Sequence, residues 1–375
     1  MRIGIVKETG NEKRVALTPD SVKTLSDISI EILVEKDSGT YANYTDADYQ
    51  SAGAKIVNRK EVFGLTDIIL KVSAFGAEDI DHLKKDHIII GAFNPFNYND
   101  DMRQLTLKGI TSFSLELLPR ISRAQSMDVL SSMATVTGYK AVLDAAAHLP
   151  RFFPMFMTAA GTIKPAKVLI LGAGVAGLQA LATSRRLGAV VEVFDVRSAV
   201  KEEVLSLGGK FIEVQGATED SGSGGYAVEQ SEEYRQKQGN LIADHAAKSD
   251  VVICTALIPG KKAPLLLTKE TVEHMKPGSV IVDLAASAGG NCELTKNNAH
   301  VEYNQVKIIG NSNYPSELAT HASQMFGKNM SNFIKLLVDE SGNLNLNFED
   351  EIISGTCLTR NGELVHTKVK EVLSL

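Results

Sequence analysis

The sequence predicts an α/β protein of two parallel-sheet domains joined by long helices. Three observations carry that reading: a strand, a glycine cluster, a helix and a second strand in succession from Val168 to Asp195; two series of short apolar runs, one in each half; and a long helical stretch with few breakers between them.

Val168-Leu169-Ile170-Leu171 reads as a buried strand, because a parallel sheet covered on both faces needs no polar alternation. Gly172, Gly174 and Gly177 then give G-x-G-x-x-G at the opening of a helix through Leu178 to Leu187. Gly172 permits the tight turn out of the strand, Gly174 lets backbone N–H groups approach a pyrophosphate, and Gly177 removes a side chain where helix and strand pack. The helix N-terminus supplies unpaired N–H donors and a partial positive charge, which stabilise a diphosphate without a lysine. The run Val190 to Phe194 is the second strand. Asp195 ends it about 20 residues beyond the glycines, where a carboxylate accepts hydrogen bonds from both ribose hydroxyls and repels a 2′-phosphate. NAD(H) is therefore favoured over NADP(H), with Arg197 the neighbour that weakens the inference. A chance glycine pattern is the competing explanation, but it would also have to put strand, helix, second strand and acid in register. The unit is Rossmann-like.

At 375 residues the chain is long enough for about two domains. Its 44% hydrophobic and 22% charged residues are those of a globular protein, and a net charge of −6 offers no nucleic-acid surface. Three cysteines, Cys254, Cys292 and Cys357, are too scattered for a disulfide framework or a zinc site, so a reducing, cytosolic setting is expected. Glu8, Glu12 and Lys13 follow the short run Met1 to Val6 closely, which argues against a signal peptide. The apolar patch Phe152 to Met157 is broken by Pro154 and falls well short of the roughly 20 residues of a membrane span. A soluble chain is expected, which leaves room for a membrane-bound partner.

In the first series, Ile3 to Val6, Ile30 to Val34, Ile68 to Val72, Ile88 to Ala92 and Thr111 to Ser114 are strand candidates, with Ser21 to Leu25, Asp46 to Ala52 and Asp100 to Leu107 helical. This unit has no glycine fingerprint. Ser126 to Leu149 reads as a connector helix, and Pro150, Pro154 and Pro165 bracket a turn-rich approach to the fingerprint strand. The second series continues with Lys210 to Val214, Val251 to Thr255, Val280 to Leu284 and Val306 to Ile309. After Pro315, Ser316 is expected to cap a long helix whose stripe holds Leu318, Ala322, Phe326, Met330 and Phe333. That helix should return the chain to the first domain, giving 1–126 with 318–375 as one domain and 127–317 as an inserted dinucleotide domain. Arg360-Asn361-Gly362 is a turn candidate. Gly216 to Tyr226 is glycine-rich and too long for an ordinary connection, so it reads either as a lid with Tyr226 over a nucleotide or as a plain surface insertion.

Polar groups gather at Leu118 to Asp128, beside the predicted cleft. Arg120, Gln125 and Asp128 offer donors and acceptors for a nicotinamide carboxamide, while the plainer reading makes Ser126 or Asp128 an N-cap and leaves the arginines solvated. Arg14 could grip a substrate carboxylate or simply lie at the surface. Lys71, at a strand end, is either buried and tuned or snorkelling. No histidine has a second metal ligand at binding spacing, and no Ser-His-Asp or Cys-His set is forced.

Taken together, Lys13-Arg14-Val15-Ala16-Leu17-Thr18-Pro19, Pro119 to Asp128, Met157-Thr158-Ala159-Ala160-Gly161-Thr162, Gly172 to Gly177, Gly225-Tyr226-Ala227, Thr255 to Lys261, and Val282-Asp283-Leu284-Ala285 with Gly289 to Glu293 carry a resemblance across nearly the whole chain. The chain resembles the NAD(H)-binding component, domain I, of proton-translocating NAD(P) transhydrogenase, in the form whose alpha subunit is split. The resemblance implies that Arg120, Gln125, Asp128 and Ser131 surround the nicotinamide, that Asp195 holds the adenosine ribose, and that Tyr226 rides on a mobile loop closing over NAD(H). It suggests Val175, Gly225, Gln238 and Leu257 as further cofactor contacts. It also implies a homodimer, peripheral on the cytoplasmic face through a membrane-bound partner that carries NADP(H), with hydride passing directly from NADH to NADP⁺ while protons cross the membrane. Met133, Ala134 and Ser287 depart from the expected pattern near the cleft.

Alanine dehydrogenase is the nearest rival and looks alike in fold. An amino-acid dehydrogenase moves a proton as well as a hydride and needs an acid or base at the reacting carbon. The family resemblance places such groups at Ser73, at or near Asn94, and at Ser287, and this chain lacks all three. Transfer between nicotinamides needs none of them. A catalytically silent NAD-sensing module is the third reading.

Overall fold

The computed structural model describes residues 1–97, 100–214, 231–258, 260–339 and 341–374. Gly225 and Tyr226 lie outside the described residues. The chain forms two compact units, Met1–Met133 with Pro315–Leu375, and Ala134–Tyr314.

The first unit opens with β1 (Arg2–Ile5), β2 (Glu31–Glu35), β3 (Lys55–Val57), β4 (Ile68–Leu70), β5 (Ile88–Gly91) and β6 (Thr111–Ser114), all mutually parallel. The apolar runs are continuous because successive residues feed opposite cores: Ile68 and Leu70 join the cluster around Phe326 and Phe333, whereas Ile69 joins that around Phe63 and Phe75. β3 escapes the sequence pattern because it is three residues long and only half covered.

The connector helix spans Val129–His148. In the second unit, the proline-rich approach contains a hairpin, β7 (Phe156–Thr158) against β8 (Gly161–Ile163). There follow β9 (Lys167–Leu171), β10 (Val190–Phe194), β11 (Lys210–Ile212), β12 (Val251–Cys254), β13 (Val280–Asp283), β14 (Ala299–Tyr303) and β15 (Val306–Gly310). Their order is β11-β10-β9-β12-β13-β15-β14, parallel except for the edge strand β14. Val168 and Ile170 of β9 face one core and Leu169 and Leu171 the other. β14 was not expected from the sequence, since His300 and Glu302 on its exposed side interrupt any apolar run.

The chain then re-enters the first unit. The expectation for Ser316 fails: it lies in the separate short helix Tyr314–Glu317, where its hydroxyl donates to Asn11 O at 2.9 Å and accepts from Lys13 N at 2.7 Å. The long helix is Ala319–Ile334, whose N-cap is Leu318 with no side-chain cap. Its stripe of Ala322, Phe326, Met330 and Phe333 is buried as the 3.6-residue period requires. Finally β16 (Cys357–Arg360) and β17 (Glu363–Leu364) add antiparallel strands beside β6. Asn361 and Gly362, at φ 53° and 85°, make their turn, where two left-handed residues match the twist of a hairpin. The order is β17-β16-β6-β5-β4-β1-β2-β3.

Candidate dinucleotide site

The parallel register of β9, β10 and β12 aligns their C-terminal ends, where ligands of open α/β sheets bind. Gly172 leaves β9 at φ +108°, and a Cβ there would stand 2.5 Å from Thr255 Oγ1. That hydroxyl donates to Gly172 O at 3.0 Å, so β12 braces the turn. A Cβ on Gly177 would meet Gly172 O at 1.9 Å, which enforces the close helix–strand contact expected of the third glycine. Around Gly174 nothing lies within 4 Å of the Cβ position. The helix Val175–Arg186 begins there with no side-chain cap, so its first N–H groups are open to an anion. Val175 is 43% exposed at the helix entrance. These features fit a diphosphate.

Asp195 is buried at the end of β10. Its Oδ2 accepts from Ala173 N at 2.7 Å and Arg197 Nη2 at 2.7 Å, and its Oδ1 from Arg197 N and Nε, both at 2.9 Å. The carboxylate thus ties the glycine turn to β10, and Arg197 occupies the positions that ribose hydroxyls would take. Nearby Tyr234 is buried, and its phenol is pushed above its ordinary range by burial and by the Asp195 charge. Gln238 is half-buried on the same helix, Glu232–Ala246. Leu257 follows β12 and is exposed.

Beneath this surface runs a scaffold that sequence reading quoted without a role. Asp283, fully buried, accepts from Ala285 N at 3.0 Å, Asn291 N at 2.8 Å, Cys292 N at 3.0 Å and Thr295 Oγ1 at 2.6 Å. Asn291 in turn accepts from Ala256 N at 3.1 Å and donates to Ala256 O at 2.9 Å, fixing the backbone next to Leu257. Gly138 of the connector helix was likewise missed: a Cβ there would lie 2.2 Å from Ala176 O, so only glycine lets that helix lie against the fingerprint helix.

The remaining predicted residues belong to the first unit. Arg120 and Gln125 are exposed. Asp128 caps the connector helix, accepting from Ser131 N at 2.9 Å and Ser131 Oγ at 2.6 Å. Ser126 does not cap; its carbonyl receives the amides of Asn329 and Asn332. The Arg14 fork is taken by Glu12, at 2.8 and 2.6 Å, which leaves it closed to a substrate carboxylate in this structure. Lys71 is 1% exposed and donates to Asp79 Oδ2 and Ala74 O, both at 3.1 Å, so it is buried rather than snorkelling. Ser73 donates through its hydroxyl and N–H to Glu8. Burial pushes the Glu8 carboxyl up to about 7 against the opposing pull of Lys71. Among the described residues no three His, Cys, Asp or Glu side chains gather as a metal would require.

The model of the alanine dehydrogenase/PNT N-terminal domain matches residues 4–137, and that of the alanine dehydrogenase/PNT C-terminal domain matches residues 141–367. The first part of the split NAD(P) transhydrogenase subunit alpha of Rhodospirillum rubrum is 46% identical over 376 residues, covering 98% of both chains. The crystal structure of transhydrogenase from Sinorhizobium meliloti superposes with a TM-score of 0.89 at 43% identity, covering 97% of this chain and 100% of that one. An L-alanine dehydrogenase structure superposes at 0.85 with 25% identity, covering 100% and 99%. With both domain models matched and near-full-length relatives above 40% identity, the chain belongs to the alanine dehydrogenase/PNT family.

Proposed function

We propose that this chain is the NAD(H)-binding subunit of a proton-translocating NAD(P) transhydrogenase, working with partner subunits. The observation that carries the reading is the 46% identity, end to end, to a chain named as the first portion of NAD(P) transhydrogenase subunit alpha, set against 30% over 80% of this chain, and 25% in a solved structure, to alanine dehydrogenases. Bound NADH would supply the hydride, passed to NADP⁺ held by a partner subunit. What this chain supplies is binding, orientation and exclusion of water. Gly172, Gly174 and Gly177 with Val175 receive the diphosphate, and Asp195 takes the adenosine ribose once Arg197 yields. Arg120, Gln125, Asp128 and Ser131 hold the nicotinamide end. Gln238 and Leu257 line the site, and the segment with Gly225 and Tyr226 closes over it. Proton passage is the work of the membrane component, on whose cytoplasmic face this subunit sits.

The active form is a homodimer. Met155, Phe156 and Met157 on and beside the β7–β8 hairpin are 57%, 41% and 74% exposed, a concentration of apolar surface suited to a second copy. The test is to mix the purified chain with the separately produced NADP(H)-binding chain and follow reduction of a nicotinamide analogue. Turnover is expected. No turnover, with NAD-dependent oxidation of alanine instead, would refute the reading.

A further inference from the structure

The second unit has another concave surface, at the edge of its sheet where the parallel strands begin and away from the glycine turn where β9 ends. There a cavity of about 940 Å³ is lined by Arg151, Lys164, Lys167, Lys248 and Lys276, with Asp250 as the one carboxylate among its lining residues. The topology creates the cluster. Lys167 opens β9, Asp250 immediately precedes β12, Lys276 lies just before β13, and Lys164 leaves the hairpin.

Asp250 cannot neutralise this set. It is buried, and its oxygens accept from Lys167 N at 2.8 Å and Lys276 Nζ at 2.9 Å, with Arg151 Nη1 at 3.5 Å. Lys167 Nζ turns to Glu192 at 2.8 Å. Lys164 and Lys248 are exposed and make no ion pair among the described residues. A chain of net charge −6 has therefore collected at least three uncompensated positive charges in one hollow. Like charges held around a concavity repel one another and focus an attractive field for anions, so the hollow is stabilised by a multivalent anion. Lysine ammonium groups suit phosphate oxygens as compact charges, while Arg151, whose Nη2 donates to Pro277 O at 3.1 Å, adds positive charge without an open fork.

We propose that this cavity binds a phosphate group, carried either by a free anion or by the headgroups of an anionic phospholipid surface. The site is separate from the dinucleotide cradle and does not rest on the function proposed above. The test uses the full chain saturated with NADH, so that the glycine turn is already filled. Thermal shift and calorimetry with sodium pyrophosphate are compared with sodium chloride of equal ionic strength. Flotation is measured on vesicles of phosphatidylglycerol and of phosphatidylcholine. The same assays are run on the double variant Lys164→Glu/Lys248→Glu. A saturable pyrophosphate effect that weakens about tenfold or more in the double variant identifies a free anion as the ligand. Flotation on phosphatidylglycerol alone, lost in the double variant, identifies the lipid headgroup. Unchanged NADH affinity and melting temperature of the unliganded double variant verify that it folds. Absence of both effects, or persistence of either in a folded double variant, overturns the proposal.

Discussion

Arg197 and Asp195 are locked together by three hydrogen bonds, from the Arg197 backbone N–H, Nε and Nη2 to the two carboxylate oxygens at 2.7 to 2.9 Å. With Ala173 N–H as the fourth donor, every acceptor position of the carboxylate is filled. On the proposed reading, ribose hydroxyls must therefore displace the guanidinium. Replacing Asp195 by Ala removes the ribose acceptor and the tie to the glycine turn, and should weaken NADH binding by about 1–3 kcal/mol. Arg197→Ala frees two acceptor positions, so calorimetry should give NADH affinity equal to or tighter than that of the parent. A loss of affinity in Arg197→Ala would mean that the arginine touches the cofactor itself.

Gly138 faces the carbonyl of Ala176, with 2.2 Å left for any added Cβ. A methyl group must push apart the connector helix and the helix whose first turn is proposed to receive the diphosphate. Gly138→Ala should destabilise the fold by about 1–3 kcal/mol despite the better helix propensity of alanine. NADH binding should weaken with it. A higher denaturation midpoint in Gly138→Ala would show that propensity wins and the contact relaxes.

Such contacts mark where sequence reading stops. Val168 to Leu171 was legible because both faces of β9 are buried, so the run is apolar without interruption. Asp195 was legible because its spacing from the glycines is set by one helix and one strand. Gly138 was not, since a lone glycine in a helical pattern reads only as a cost and its reason is a carbonyl on another helix. The pairing of Asp195 with Arg197 was hidden for a related cause: the sequence says that the two are near, not that the guanidinium turns back. Ser316 misled because hydroxyls that precede a helix usually cap it, whereas here the Lys13 N–H and the Asn11 carbonyl claim it.

Asp283 carries the loop that ends with Thr295. Removing its carboxylate in Asp283→Ala would leave the buried N–H groups of Ala285, Asn291 and Cys292 without their acceptor. The expected cost is about 3–5 kcal/mol, since several donors are stranded at once. Asp283→Asn keeps one carbonyl acceptor and should fall between the two. Hydrogen exchange over 285–295 checks the mechanism, because protection there should fall more than in β9.

Two glutamates set opposite limbs of the pH–stability curve. In Glu192, burial acts to raise the carboxyl, but the hydrogen bonds from Lys167, His245 and Lys210 outweigh it and hold the group down to about 2, below its ordinary 4.5. Its contribution is present above pH 4.5 and is lost as pH falls toward 2. Glu8 behaves in the reverse sense. Burial lifts it from 4.5 to about 7, so the folded state holds a proton that the unfolded chain releases. Its contribution is complete below pH 4.5 and declines as pH rises to 7, by about 1–3 kcal/mol in all. Glu8→Gln should therefore flatten the decline of the urea midpoint between pH 5 and 7 while leaving the acid limb in place. Glu192→Gln should do the converse, lowering stability at neutral pH and making the loss toward acid shallower. The two carboxylates lie in different units, so the double variant should show the sum of both changes if the units unfold together. An unaltered slope between pH 5 and 7 in Glu8→Gln would mean that the carboxyl is already ionised there, compensated by Lys71 and the Ser73 hydroxyl.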